Sequence, residues 1–103
     1  RAKKHNITDI IIDPGYGFAK TTQQNFELLR ESVLLNTFGV PVLTGVSRKS
    51  MIYKTLNTTA QDALNGTTAL HMQALINGSS ILRVHDVAAA KECVLLYEAL
   101  QNA

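Results

Sequence analysis

The spacing of apolar positions alternates between two periods along the chain. Ile10-Ile11-Ile12 is a run of consecutive β-branched residues, the pattern of a strand buried on both faces in a parallel sheet. Pro14 has no N–H for a ladder and keeps Asp13 out of helical geometry, so a first strand is predicted from about Asp9 to Asp13. Val42-Leu43-Thr44-Gly45-Val46 and Ser80-Ile81-Leu82-Arg83-Val84 predict a second and a third strand. Between them the spacing becomes helical. Phe26, Leu29, Val33 and Phe38 form an apolar stripe, with Glu27, Arg30 and Glu31 left for solvent, so Phe26 and Phe38 are expected in the core.

Local signals set the ends of these segments. Thr21-Thr22-Gln23-Gln24 has the form of a capping box, and Gly39 that of a left-handed terminator. Met51-Ile52-Tyr53-Lys54 predicts a short helix, and Thr58 to Asn65 an irregular connection with a helical turn. A helix opening at Gly66 carries Ala69, Leu70, Gln73, Ala74 and Ile76 and closes at Asn77-Gly78, with His71 expected to pack or face solvent. Asp86 is placed to N-cap a last helix, in which Ala90, Val94 and Tyr97 form the apolar stripe. Arg1 to His5 reads as the last turn of a helix whose body is not in the sequence, since cations suit a helix C-terminus.

The order is therefore strand–helix three times over, without linker or low-complexity segment. Alternation with short connections implies parallel strands joined by right-handed crossovers. All post-strand loops then meet on one rim, where α/β folds keep their chemistry. Asp13 ends the first strand, and Phe18 and Lys20 follow in a loop that Gly15 and Gly17 let bend. Ser47-Arg48-Lys49-Ser50 follows the second strand, and Arg83, His85 and Asp86 lie at the third. That rim is rich in cations, which fits an anionic substrate; Arg with Lys suits phosphate oxygens. Asp13 among those cations fits a ligand edge made of donors. The alternative is a set of ion pairs tying loops together, to which Asp86 contributes.

Composition narrows the field. The 103 residues, 46% apolar and 17% charged, fit one small globular domain. A formal net charge of +2 does not argue for nucleic acid or a membrane surface as partner, and no apolar run reaches membrane-spanning length. The single cysteine, Cys93, allows no internal disulfide and fits a reducing, cytoplasmic setting. No pair of residues has metal-ligand spacing, and no serine–histidine pair comes with a base and an orienter.

Asp13-Pro14-Gly15-Tyr16-Gly17-Phe18-Ala19-Lys20, Gly45-Val46-Ser47-Arg48-Lys49-Ser50 and Arg83-Val84-His85-Asp86 follow one another along the chain. Together they resemble three consecutive motifs of bacterial dihydropteroate synthase. Tyr16 and Ala19 stand where phenylalanine and glycine are commoner in that family. The resemblance implies an α/β fold of three consecutive parallel strand–helix units, the C-terminal part of a TIM (β/α)8 barrel, with residues 1–103 all belonging to that barrel domain. A full barrel needs roughly 250 residues, so the earlier strands are expected elsewhere.

It also implies the joining of para-aminobenzoate to hydroxymethyl-dihydropterin diphosphate, giving dihydropteroate, a folate precursor, and pyrophosphate. On that basis Asp13, Gly45 and Lys49 are expected to bind the pterin. Phe18, Lys49 and Ser50 would meet the aminobenzoate, where sulfonamides would also sit, and Arg83 and His85 the diphosphate. Lys49, Arg83 and His85 are the expected catalytic residues, Arg48 a loop organiser and Lys20 a surface contact. The family further implies Mg2+, whose protein ligand lies outside this chain, and a homodimer of the complete enzyme. A pterin-binding methyltransferase domain and a non-catalytic assembly fragment are the alternatives, and Arg83 with His85 argues against the methyltransferase. The chain without its remaining strands is expected to be inactive.

Overall fold

A computed structural model describes residues 11–17 and 20–103. The readings made for Arg1 to His5, for the start of the first strand and for Phe18 fall outside these residues.

Two short parallel strands, β1 (Leu43–Thr44) and β2 (Ile81–Leu82), pair in the register Leu43 with Ile81 and Thr44 with Leu82. On the other side of β1, Ile12 forms an isolated parallel bridge with Val42. Its N–H donates to the Pro41 carbonyl at 2.9 Å and its carbonyl accepts from Leu43 N–H at 2.8 Å. The three extended segments thus lie side by side and parallel with the second in the middle, as the alternation predicts.

The ladders are shorter than the apolar runs. The last ladder bond runs from Arg83 N–H to the Thr44 carbonyl, 3.0 Å. Beyond it, backbone groups turn to loop partners: Lys49 N–H bonds the Val46 carbonyl and His85 N–H bonds the Ser47 hydroxyl.

Among the described residues, four α-helices flank these segments: α1 (Thr22–Arg30), α2 (Ser50–Thr55), α3 (Leu64–Ile76) and α4 (Val87–Gln101). The capping box opens α1 as expected, with Gln24 N–H on Thr21 Oγ1 at 3.0 Å and Thr21 N–H on Gln24 Oε1 at 2.9 Å. At Glu31 the helix tightens into a 3-10 segment, Glu31–Phe38, ending on Gly39 at φ 69°. This overturns part of the predicted stripe. Three residues per turn instead of 3.6 rotates each later position away from the core, so Val33 and Phe38 are exposed, Phe38 by 67%. Phe26, before the change, is partly buried and packs on the core.

Helix α3 ends in a Schellman motif, with Ser79 N–H on the Ala74 carbonyl and Gly78 N–H on the Leu75 carbonyl. Gly78 takes φ 100° there, which only glycine adopts without strain. A 3-10 turn, Ala60–Asp62, is the helical turn expected between α2 and α3.

The core lies between the extended segments and helices: Tyr16, Leu29, Val46, Met51, Ile52, Ala63 and Ala74 are buried together. A buried polar knot at the end of α3 ties that helix to the first one. Asn77 Nδ2 donates to the Leu29 carbonyl at 2.8 Å and to Ser32 Oγ at 3.2 Å, and Asn36 Nδ2 donates to the Asn77 carbonyl. Leaving any of these groups unpaired costs about 1–3 kcal/mol.

Gly66 is where α3 touches α2. A Cβ there would stand 2.6 Å from Ile52 Cγ2 and 2.9 Å from Leu56 Cδ1. Gly66→Ala gains up to about 1 kcal/mol of helix propensity but overpacks buried Ile52, typically costing 1–3 kcal/mol. A net loss of up to about 2 kcal/mol is expected, read as a lower urea midpoint with an unchanged m-value.

Candidate functional site

The loop after Ile12 is held in place from several sides. Asp13 Oδ1 accepts from Gly15 N–H at 3.0 Å, and Lys20 Nζ donates to the Gly15 carbonyl at 3.2 Å. Tyr16, 1% exposed, plugs into the core, where burial pushes its phenol up to about 12. It is therefore a neutral packing group that anchors the loop. Gly17, at φ 90°, donates its N–H to Asn25 Oδ1 at 2.8 Å. Asn25 is buried on α1, and its amide also donates to the Thr21 carbonyl.

The loop after β1 meets the first loop through Lys49. Its stem runs beside Gly17, where a Cβ would lie 3.4 Å from Lys49 Cδ, and its ammonium donates to the Tyr16 carbonyl at 2.5 Å. Burial, and then the Arg83 charge, lower the Lys49 pKa from its ordinary value, with Asp13 opposing. Arg83 reaches across from the end of β2. Its guanidinium lies on Gly45, so near that a Cβ would stand 2.5 Å from Nη2. Its Nη1 donates to Asp13 Oδ2 at 3.3 Å. The absence of a side chain at Gly45 is what lets the guanidinium lie flat there.

His85 completes the group. Its Nδ1 is 2.8 Å from Ser47 Oγ and its backbone N–H donates to the same oxygen at 3.2 Å. Gly45, Ser47, Lys49, Arg83, Val84 and His85 line one cavity of about 100 Å³. Three basic side chains around a small cavity, with Asp13 at its edge, can take an anion while a carboxylate receives donors.

Of the residues expected at the site, Asp13, Gly45, Lys49, Arg83 and His85 are brought together. Ser50 is the first residue of α2, next to Lys49 and partly buried. Phe18 falls outside the described residues. Lys20 touches its own loop.

Arg48 organises the loops as expected, but by taking Asp86 away from its predicted task. Arg48 sits at φ 53°, with Nε on Asp86 Oδ2 at 2.8 Å and Nη2 on Oδ1 at 3.0 Å. Its Nη1 donates to the Ala60 and Gln61 carbonyls. Asp86 does occupy the N-cap position of α4, yet its carboxylate makes no cap hydrogen bond. A two-pronged bond to a guanidinium outcompetes one neutral backbone donor.

The hydrogen bond from Arg48 holds the Asp86 carboxyl below its ordinary value. A depressed carboxylate stabilises the fold above its unfolded value, and that contribution is lost as pH falls through the folded value. Arg48→Ala is therefore expected to lower the melting temperature at neutral pH, with the gap to the parent narrowing below about pH 4 to what the Ala60 and Gln61 carbonyl bonds contribute. Parallel melting curves at pH 7 and pH 3 check this.

His71 packs rather than facing solvent. It is 2% exposed, and burial lowers its pKa, keeping it neutral. Among the described residues no group of three His, Cys, Asp or Glu side chains could hold a metal ion. No described helix is long and apolar enough to cross a membrane.

Two residues escaped the sequence reading. Asn25 gave a faint signal, a polar residue beside Phe26 and Leu29 on the buried side of α1. Ser47 was visible on the rim, but its bond to His85, 38 positions away, was not.

A family profile described as pterin binding enzyme matches residues 1–85. The chain belongs to the pterin-binding enzyme family. It is 38% identical over 94 residues to dihydropteroate synthase of Escherichia coli, covering 91% of this chain and 33% of that protein. With dihydropteroate synthase of Streptococcus pyogenes the identity is 45% over 94 residues, covering 89% and 35%. The crystal structure of the Yersinia pestis dihydropteroate synthase with a sulfonamide drug complex superposes with a TM-score of 0.87 at 39% identity, covering 90% of this chain and 34% of that one. The chain thus spans about a third of the length of these relatives. Its parallel strand–helix units are part of the TIM barrel of this pterin-binding family.

Proposed function

We propose that the complete protein to which this chain belongs is a dihydropteroate synthase, and that residues 1–103 supply the last three strand–helix units of its barrel. The observation that carries this reading is the meeting of Asp13, Lys49, Arg83 and His85, from three separate loops, at one end of the parallel segments. A carboxylate facing cations suits a substrate that is donor-rich at one end and anionic at the other.

In this reading hydroxymethyl-dihydropterin diphosphate lies with its amino-amidine edge on Asp13, its ring beside Gly45 and the Lys49 stem, and its diphosphate on Arg83 and His85. The bond between the pterin methylene carbon and the diphosphate oxygen breaks, and its electron pair leaves with the diphosphate. Arg83 and His85 stabilise the charge that gathers on that oxygen. The para-aminobenzoate amine, held near Phe18, Lys49 and Ser50, forms the new carbon–nitrogen bond and gives its proton to solvent. Sulfonamides compete for the same place.

Mg2+ would assist the departing diphosphate, from a protein ligand outside this chain. In this reading the working assembly of the complete enzyme is a homodimer. Folate-precursor synthesis and the lone thiol Cys93 fit the cytoplasm.

The test is a pyrophosphate-release assay on the complete protein with both substrates, and with methyltetrahydrofolate as the competing pterin. Release that depends on para-aminobenzoate supports the synthase. Binding of methyltetrahydrofolate without release would assign the methyltransferase instead.

A further inference from the structure

Ser47 is 4% exposed in the loop after β1, and its hydroxyl meets His85 twice. A hydroxyl has one proton to donate and two lone pairs to accept with. Here the oxygen already accepts the His85 backbone N–H at 3.2 Å. If Nδ1 also carried a proton, both contacts would point donors at Ser47 Oγ. The buried O–H would then have no acceptor among the described residues, at a cost of about the desolvation of one polar group. Donating the O–H to Nδ1, 2.8 Å away, satisfies every group.

We infer that Ser47 is a positioning residue that fixes His85 as the Nε2–H tautomer, presenting a neutral N–H donor to an anion in the cavity both residues line. The consequence for catalysis rests on the synthase reading. The tautomer itself does not. A ring free to turn, or to place its proton on Nδ1, would offer the anion a lone pair instead of a donor. Ser47 lines the cavity beside Lys49 and Arg83, and its task is the orientation of its neighbour.

The experiment uses the complete protein with histidine labelled with 15N in the ring, at a pH where His85 is neutral, with His85→Gln identifying the resonances. In the parent protein the His85 nitrogens are expected at the Nε2–H pattern, with Nδ1 in the position of an unprotonated, hydrogen-bonded nitrogen. In Ser47→Ala a mixture of tautomers is expected. Turnover should fall roughly tenfold, the worth of one hydrogen bond, with KM for para-aminobenzoate unchanged.

An Nδ1–H pattern in the parent protein overturns the inference without any variant, so poor folding of Ser47→Ala does not shelter it. An unchanged tautomer in a folded Ser47→Ala overturns it as well. Failure of the synthase reading shows separately, as no pyrophosphate release from the parent protein.

Discussion

Arg83→Ala in the complete protein is expected to lower turnover by about two to three orders of magnitude while leaving the fold almost untouched. The two halves of this expectation have different origins. For stability, the Arg83 guanidinium rests on Gly45 and bonds Asp13 Oδ2 at 3.3 Å, with the two side chains 53% and 39% exposed. Exposed ion pairs of this kind contribute about 0–1 kcal/mol, so the melting temperature should move by only a few degrees. For catalysis, a fixed donor aimed at a leaving group that gains charge in the transition state is typically worth 10²–10³ in rate. Arg83→Lys should recover only part of this, since a point charge cannot reproduce a planar fork. Gly45→Ala gives an independent check, because its Cβ would push the guanidinium off its seat while Arg83 keeps its charge. Steady-state pyrophosphate release, with melting curves beside it, reads both halves. Turnover near the parent's in Arg83→Ala would remove Arg83 from the diphosphate site.

Removing Arg83 also touches Lys49, whose pKa is lowered first by burial and then by the Arg83 charge. Lys49 is tied to the Tyr16 carbonyl and Arg83 to Asp13, so two side chains join the cavity to the first loop. The first loop is thereby linked to α1 through Asn25 and to the start of α2 through Lys49. This gives a physical reason for a buried aromatic ring at position 16. The ring is a core plug that fixes the backbone carbonyl Lys49 needs.

Legibility in the sequence followed the range of the interaction. The capping box at Thr21 and Gln24, the left-handed Gly39 and the Schellman turn at Asn77-Gly78 depend on residues within a turn of each other, and each stands where the sequence puts it. The parallel order follows from alternation of period, a signal spread over the whole chain. Phe38 and Val33 went astray because nothing local announces that α1 tightens at Glu31, and a small change of pitch accumulates over seven residues. Asp86 suggests both a cap and an ion pair in the sequence, and the structure has the ion pair. Its local preference for a cap lost to Arg48, 38 positions earlier, which also takes the Ala60 and Gln61 carbonyls. The same distance separates Ser47 from His85. Strand-end residues could be grouped on one rim from topology, but which side chain grips which is decided by packing that no spacing encodes.

Asp13→Asn is expected to weaken pterin binding by about 2–3 kcal/mol, roughly a hundredfold, while para-aminobenzoate contacts survive. The geometry says why an isosteric change is so costly. One carboxylate oxygen is already used, since Oδ1 accepts from Gly15 N–H at 3.0 Å. An asparagine keeps that bond with its carbonyl oxygen, which leaves its NH2 where Oδ2 stood. Oδ2 is the oxygen that faces Arg83, and it is the one left for a ligand. An NH2 there would point donors at the Arg83 donors and at the donor fork of a pterin, a mispairing on both sides. Loss of the carboxylate charge adds a second effect, because Asp13 raises the Lys49 pKa against burial and Arg83. In Asp13→Asn the Lys49 ammonium should therefore titrate at lower pH than in the parent, a shift that 15N NMR of the lysine side chain can follow. Calorimetric titration with hydroxymethyl-dihydropterin diphosphate measures the affinity, and Asp13→Ala provides the reference in which the donor clash is absent. An asparagine variant that binds no worse than the parent would mean that the pterin edge is read elsewhere. Binding weaker in Asn than in Ala would show that the misplaced donor, beyond the missing acceptor, carries the loss.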